Sequence, residues 1–129
     1  MLVDVLGIGV DVVEVARMER ILERQPRFAQ RIFSEEEIAY CDGGGLQRAA
    51  RYAARWAARE ACAKALGGIP GGRWRDMRVV RADDGSLSMA LDATARARAD
   101  EVGVKEVLVS LAHERTVVVA SCVAVGEGR

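Results

Sequence analysis

Residues 46–66, LQRAARYAARWAAREACAKAL, predict the longest element of the chain, a helix rich in alanine and arginine. Both residues are strong helix formers, and the adjoining Gly67 and Gly68 are natural helix terminators. On a helical wheel Glu60 falls on the apolar, core-facing side, while Arg51, Arg55 and Arg59 form a stripe on one flank. We therefore expect a helix that packs its apolar side against the rest of the protein and presents a basic flank.

Strand and helix patterns flank this long helix on both sides. An apolar run at 2–10 predicts a buried strand, 14–24 predicts an amphipathic helix, and a capping box at 34–37 predicts a short helix to about residue 41. After the long helix, strands are expected at 77–82 and 86–91, a helix capped by Asp92 to about residue 102, and strands at 107–112 and 116–125. The order β, α, α, α, β, β, α, β, β predicts an α+β fold with a mainly antiparallel sheet packed against the long helix.

The composition excludes several classes of partner. With 129 residues, half of them hydrophobic, the chain is expected to form a single domain over 1–129. Its 19 basic and 19 acidic side chains leave no net charge, which argues against nucleic acid, and no apolar run is long enough to span a membrane. The three cysteines have neither metal-site spacing nor an even number for a disulfide framework, which favours a reducing cytoplasm.

The zero net charge conceals a polarised chain. Between residues 43 and 75 the sequence has seven basic side chains and one acid, Glu60. A local cationic surface of this kind suggests an anionic ligand, although a solvated helix face is an equally ordinary explanation.

Two acids, Asp11 and Glu60, are candidates for chemistry. Asp11 follows a GxG pattern at Gly7 and Gly9, but the third glycine and the parallel βαβ unit of a dinucleotide site are absent. At the exit of the first strand, Asp11 could equally be a turn or cap residue. An inward-facing Glu60 needs a partner, either Lys64 one turn later or a divalent cation such as Mg²⁺ shared with a second carboxylate and phosphate oxygens.

His113 is the only histidine and ends the strand before the last hairpin. A lone histidine at a hairpin is more often structural than catalytic. Without a second histidine, a zinc site is not expected.

Four segments in this order resemble one known family. They are GIGVDVVEVARM (7–18), PRFAQRIFSEEEIAYC (26–41), RYAARWAAREACAKALGG (51–68) and SLAHE (110–114). Together they resemble the holo-[acyl-carrier-protein] synthases, the small bacterial class of 4'-phosphopantetheinyl transferases, over nearly the whole chain. The resemblance implies a cytoplasmic enzyme of fatty acid biosynthesis that requires Mg²⁺. It would transfer the phosphopantetheine arm of coenzyme A to a serine of apo acyl carrier protein and release adenosine 3',5'-bisphosphate.

The resemblance also assigns roles to residues. Asp11 and Glu60 correspond to the metal ligands, and Lys64 corresponds to a lysine at the coenzyme A phosphates. Arg55 and His113 correspond to further coenzyme A residues, so that Glu60, Lys64 and His113 are the catalytic candidates. Carrier docking is expected at Arg17 and Arg24, seven residues apart on one helix face. The family is usually a homotrimer with an active site at each subunit interface.

The chain departs from the family pattern at two of these motifs, and three questions stay open. Arg59 replaces the usual lysine before the metal glutamate, which keeps the charge but exchanges a compact donor for a planar one. Ala112 replaces the serine before the histidine. The serine proton could pass to Glu60 through a water molecule or to His113. The carriers could belong to polyketide or peptide synthesis, and the chain could be a non-catalytic module that binds a carrier or coenzyme A.

Overall fold

A five-stranded antiparallel sheet carries the fold in the computed structural model, which describes residues 3–127. The sheet has the strand order β1-β5-β4-β3-β2, so the first and last strands of the chain pair with each other. The elements are β1 (Asp4–Glu14), α1 (Val15–Arg24), α2 (Phe28–Ile32), α3 (Glu35–Asp42), α4 (Arg48–Ala65), β2 (Met77–Arg81), β3 (Leu87–Leu91), α5 (Ala93–Val102), β4 (Val104–His113) and β5 (Val117–Gly126).

The long helix α4 packs against one face of the sheet, mainly against β1 and β5. Gly7 and Gly9 of β1 face this helix, and a methyl group at either position would overlap a backbone carbonyl oxygen of α4, that of Ala65 or Ala61. The GxG pattern therefore lets a strand and a helix approach closely, which glycine and alanine permit because they have little or no side chain.

Much of the local prediction is confirmed. The capping box is present, since Ser34 Oγ accepts from the Glu37 backbone N–H and Glu37 accepts from that of Ser34. The long helix runs from Arg48 to Ala65, and Gly103 ends α5 in the left-handed conformation, with φ of +81°. The antiparallel α+β architecture is confirmed as well.

The expected end of the first strand is wrong. Strand β1 extends to Glu14, so Asp11 lies within the strand, opposite Ala120 of β5, rather than at its exit. The extension follows from pairing with β5, which is distant in sequence. The five-residue helix α2 was not predicted, and residue 2 of the predicted strand lies outside the described residues.

Asp92 does not cap α5 through its side chain. Its carboxylate pairs instead with Arg78, at 3.1 Å, while Asp76 accepts a hydrogen bond from the backbone N–H of Thr94 in the first turn. A carboxylate from outside the helix thus satisfies an N–H that the sequence pattern had assigned to Asp92.

The opposite face of the sheet is apolar and uncovered by helices in residues 3–127. On β1 the exposed side chains include Ile8, Val10 and Val12, more than half accessible, and Leu108 of β4 is also exposed. Strand β1 is also an edge of the sheet, and a long apolar edge strand is normally covered. Among the helices of residues 3–127, none combines the length and the apolar character that a membrane span requires.

Candidate functional site

Asp11 and Lys64 meet where β1 crosses α4. The Lys64 ammonium donates a hydrogen bond to the carbonyl oxygen of Val10, at 3.0 Å, and its Nζ lies 3.4 Å from Oδ1 of Asp11. Asp11 is one-fifth exposed and Lys64 about half exposed. The pair is therefore open to solvent, and its lysine is available to a second anion.

Glu60 lies beside this pair, one helical turn before Lys64. Its partial burial and the neighbouring Asp11 carboxylate raise the pKa of Glu60, while the positive charges of Lys64 and Arg17 act in the opposite direction. Among the described residues Lys64 forms its ion pair with Asp11 and not with Glu60. The i, i+4 pair considered from the sequence is thus absent, and two carboxylates share one neighbourhood.

Such a carboxylate pair suits a hard divalent cation. Mg²⁺ is usually bound by one or two protein carboxylates, with the remaining positions filled by water and phosphate oxygens. Residues 3–127 contain no group of three or more His, Cys, Asp or Glu side chains that could form a denser metal site. Asp11 and Glu60 match this sparse donor set, and a bound cation would offset the Asp11 charge that, after burial, raises the pKa of Glu60.

The two arginines expected at the carrier lie on α1. Both Arg17 and Arg24 are exposed, and neither forms an ion pair within the described chain. Arg17 is close enough to Glu60 to lower its pKa. The basic face of α1 therefore adjoins the carboxylate pair.

Arg55 is not part of this cluster. Five residues before Glu60 on α4, it is rotated by about 140° around the helix axis. Its guanidinium stacks on the Tyr40 ring, 4.5 Å from the ring centroid, in a cleft between α3 and β2. Within one chain, two of the expected coenzyme A residues thus lie at different places: Lys64 is beside Asp11, and Arg55 is in the cleft between α3 and β2.

His113 also lies apart from the carboxylates. It is exposed at the end of β4 and pairs with Val118 of β5, which in turn pairs with Val13 of β1. Two strand spacings, about 10 Å, separate β4 from β1. His113 therefore does not reach Asp11 or Glu60 within the same chain.

Arg59 does not belong to the exposed basic stripe. It is fully buried, donates to both carboxylate oxygens of Glu37, and donates through Nε to the carbonyl oxygen of Trp74 at 3.0 Å. The guanidinium nitrogens of Arg59 are therefore already engaged and not free for the phosphate contact that the family pattern implies at this position. The wheel missed the burial because α3 and residues 74–76 cover this side of α4, and both are distant in sequence.

Comparison with known proteins identifies the family to which the chain is similar. A family model described as the 4'-phosphopantetheinyl transferase superfamily matches residues 7–122. The holo-[acyl-carrier-protein] synthase of Anaeromyxobacter sp. (strain K) is 48% identical over 128 residues, covering 96% of this chain and 98% of that protein. That of Streptomyces avermitilis is 42% identical over 127 residues, covering 96% of this chain and 98% of that protein.

Solved structures of the same family share the fold. The Neisseria meningitidis holo-[acyl-carrier-protein] synthase has a TM-score of 0.83 at 29% identity, covering 94% of this chain and 98% of its own. The Bacillus anthracis enzyme, in complex with CoA (3',5'-ADP), has a TM-score of 0.76 at 28% identity, and the match covers 95% of this chain and 98% of that chain. The predicted resemblance is confirmed: the chain belongs to the holo-[acyl-carrier-protein] synthase family of the 4'-phosphopantetheinyl transferase superfamily and is a phosphopantetheinyl transferase.

Proposed function

We propose that the protein transfers the 4'-phosphopantetheine arm of coenzyme A to a serine of apo acyl carrier protein, with Mg²⁺, in the cytoplasm and in fatty acid biosynthesis. The observation that carries the proposal is the meeting of Asp11, Glu60 and Lys64. The Bacillus anthracis relative in complex with CoA supports coenzyme A as the donor. The three cysteines are free and buried, which suits a reducing compartment.

In this reaction the serine oxygen attacks the β-phosphorus of the coenzyme A pyrophosphate. The bond from that phosphorus to the bridging oxygen breaks, and adenosine 3',5'-bisphosphate leaves. Because the carrier supplies the nucleophile, catalysis by this chain is mainly positioning and charge neutralisation. The Lys64 ammonium would neutralise a phosphate oxygen while it remains hydrogen-bonded to Val10.

Asp11 and Glu60 would hold the Mg²⁺, which when bound neutralises charge on the pyrophosphate. The serine proton has two candidate acceptors, Glu60 through a water molecule and His113 from a neighbouring copy. The variant His113→Gln separates them: a large loss of turnover assigns the proton to His113, and near-normal turnover assigns it to Glu60.

We also propose a homotrimer with a site at each subunit interface. Support comes from the apolar outer face around Ile8, Val10 and Val12 and from the division of Asp11, Arg55 and His113 among separate locations in one chain. Light scattering should give the mass of three chains for the wild type, and Ile8→Glu should give smaller species because it places a charge on the apolar face. A monomeric wild type would reject the trimer.

Mass spectrometry tests the activity directly. The protein is mixed with apo carrier, coenzyme A and Mg²⁺, and the carrier should gain the mass of phosphopantetheine on its serine. A panel of apo carriers from fatty acid, polyketide and peptide synthesis then identifies which are served. The absence of any mass gain across the panel would reject the proposed transfer.

A further inference from the structure

The cleft between α3 and β2 holds Arg55, which stacks on Tyr40 but forms no ion pair within residues 3–127. Tyr40, Arg55, Arg78 and Arg81 line this cleft, and Glu37 forms part of its wall. The Nε of Arg55 is buried and has no hydrogen-bond partner among the described residues. Since buried polar atoms are nearly always hydrogen-bonded, this unsatisfied donor marks Arg55 as a candidate for a ligand in the cleft.

Glu37 is the buried acid in the wall of this cleft, which the exposed Glu36 also lines. Arg59, and not Arg55, pairs with the carboxylate of Glu37. Nη1 of Arg59 donates to Oε2 of Glu37 at 2.9 Å, and Nη2 donates to Oε1 at 2.5 Å. The backbone N–H groups of Ser34 and Val79 donate to the same two oxygens. Both carboxylate oxygens are therefore fully engaged.

This engagement also removes the negative charge of Glu37 from the cleft. Burial acts to raise the pKa of Glu37, but the hydrogen bonds and charge of Arg59 hold it below its usual value, so the carboxylate is ionised and neutralised by a buried cation. The planar guanidinium can satisfy two carboxylate oxygens at once, which a lysine ammonium cannot do with the same geometry. Arg59 therefore engages both oxygens of Glu37, which a lysine at this position could not do with the same geometry.

We propose that Arg59 is a positioning residue that engages Glu37 and thereby leaves Arg55 free to bind a phosphate group of coenzyme A. The identity of this ligand rests on the proposed function. Without Arg59, the buried Glu37 carboxylate would lack a counter-charge and would recruit Arg55, because an unpaired buried charge is strongly unfavourable. The cleft would then lose its free guanidinium.

Isothermal titration of the protein with coenzyme A, in the presence of Mg²⁺, tests this directly. Arg59→Met should weaken binding by about 10- to 100-fold, the effect of losing a hydrogen bond to a charged group. The double variant Glu37→Gln/Arg59→Met also removes the Glu37 carboxylate, which would otherwise be left without its counter-charge. Its dissociation constant for coenzyme A should return to within about threefold of the wild-type value. A purely structural role predicts no such recovery of affinity.

Val107→Ala is the matched control, because it truncates a fully buried side chain of β4 and so lowers stability away from the cleft. It should leave coenzyme A affinity unchanged. The proposal is overturned if folded Arg59→Met binds coenzyme A as tightly as the wild type, or if the double variant binds as weakly as Arg59→Met.

Nuclear magnetic resonance of the arginine side chains in the wild-type protein gives a test that needs no variant. Addition of coenzyme A should shift the Nε–H signal of Arg55 and leave that of Arg59 in place; the reverse pattern overturns the proposal. Binding without transfer would reject the proposed function and leave this inference intact, whereas normal transfer by an Arg59→Met protein with unaltered affinity would reject only the inference.

Discussion

Gly9 of β1 lies directly against the carbonyl oxygen of Ala61 in α4, so closely that a methyl group at position 9 would overlap it. The same methyl group would be 2.9 Å from the backbone nitrogen of Ala65 and from Cβ of Lys64. This backbone-to-backbone contact sets the separation of the two elements that carry Asp11 on one side and Glu60 and Lys64 on the other.

Gly9→Ala should therefore force α4 away from β1. We expect a destabilisation of about 1–3 kcal/mol, the usual cost of overpacking a close contact, and a larger loss of transferase activity than of stability. Urea denaturation and steady-state kinetics measure the two effects. Gly43→Ala is the control, since Gly43 has an ordinary φ of −76°. A methyl group at position 43 would lie 3.3 Å from its nearest neighbour, the carbonyl oxygen of Ala39. Equal stability of the two variants would contradict this reading of the contact.

Glu60→Gln should stabilise the metal-free protein at neutral pH. The folded state raises the pKa of Glu60, mainly through burial and then through Asp11. The folded protein therefore binds this proton more tightly than the unfolded chain, and stability falls as pH rises from below the unfolded pKa through the folded pKa. The variant has no carboxylate to ionise at position 60, so at pH 7 its free energy of unfolding should exceed that of the wild type. The difference should be less than about 1 kcal/mol, because solvent screens the partly exposed Glu60 side chain.

Denaturation in the presence of a chelator, repeated from the acid range to pH 8, measures that difference. Glu106→Gln, at an exposed position on β4, serves as the control and should behave as the wild type. A Glu60→Gln protein less stable than the wild type at pH 7 would show that the ionised carboxylate is favourable in the folded state.

Mg²⁺ should stabilise the folded wild type and not variants of the carboxylate pair. A ligand that binds only the folded state, at ten times its dissociation constant, adds about 1.4 kcal/mol to the free energy of unfolding. Thermal unfolding should show this gain for the wild type, whereas Asp11→Asn and Glu60→Gln should not respond. An undiminished response in either variant would reject that residue as a metal ligand.

Local signals account for the parts of the fold that the sequence predicted. The capping box at Ser34 and Glu37, the glycine stop at Gly103 and the alanine-rich α4 each act within a few residues. Strand β1 was predicted too short because its last residues depend on pairing with β5, more than 100 positions later. Long-range pairing of this kind leaves little local trace.

The candidate site divides in the same way. The wheel and the family resemblance together identified Asp11, Glu60 and Lys64, which the structure brings into one cluster. Neither could predict that Arg59 is buried against Glu37, because a wheel describes directions around one helix and not what packs on each side. Two glycines at alternate positions of β1, Gly7 and Gly9, together with an alanine-rich helix, were a usable signal that the strand and the helix pack closely. The signal was missed because these glycines were compared only with a nucleotide-binding pattern.

Reversing the charges of Arg17 and Arg24 should weaken carrier binding selectively. Both side chains are exposed on α1, and acyl carrier proteins present an acidic helix, as the family resemblance implies. Arg17→Glu/Arg24→Glu should raise the KM for the carrier at least about tenfold, change kcat little and reduce the salt dependence. Arg96→Glu/Lys105→Glu, with the same change in net charge on α5 and β4, is the control. An unchanged carrier KM would reject this docking face.

Mixed trimers test whether each active site spans two chains. Glu60 and Arg55 point about 140° apart on α4, so one coenzyme A molecule should contact Glu60 of one chain and Arg55 of another. Glu60→Gln and Arg55→Met should each be nearly inactive alone. Co-expression in equal amounts should restore up to about a quarter of wild-type activity, since one interface in four then joins two intact residues.

The control for this experiment mixes Glu60→Gln with Asp11→Asn. Both substitutions affect the same cluster of one chain, so no interface in the mixture contains an intact carboxylate pair, and activity should stay at the level of the single variants. Recovery in the first mixture and none in the second assigns the carboxylates to one subunit and Arg55 to the next. An inactive first mixture of correctly assembled trimers would place Glu60 and Arg55 in one chain's site instead.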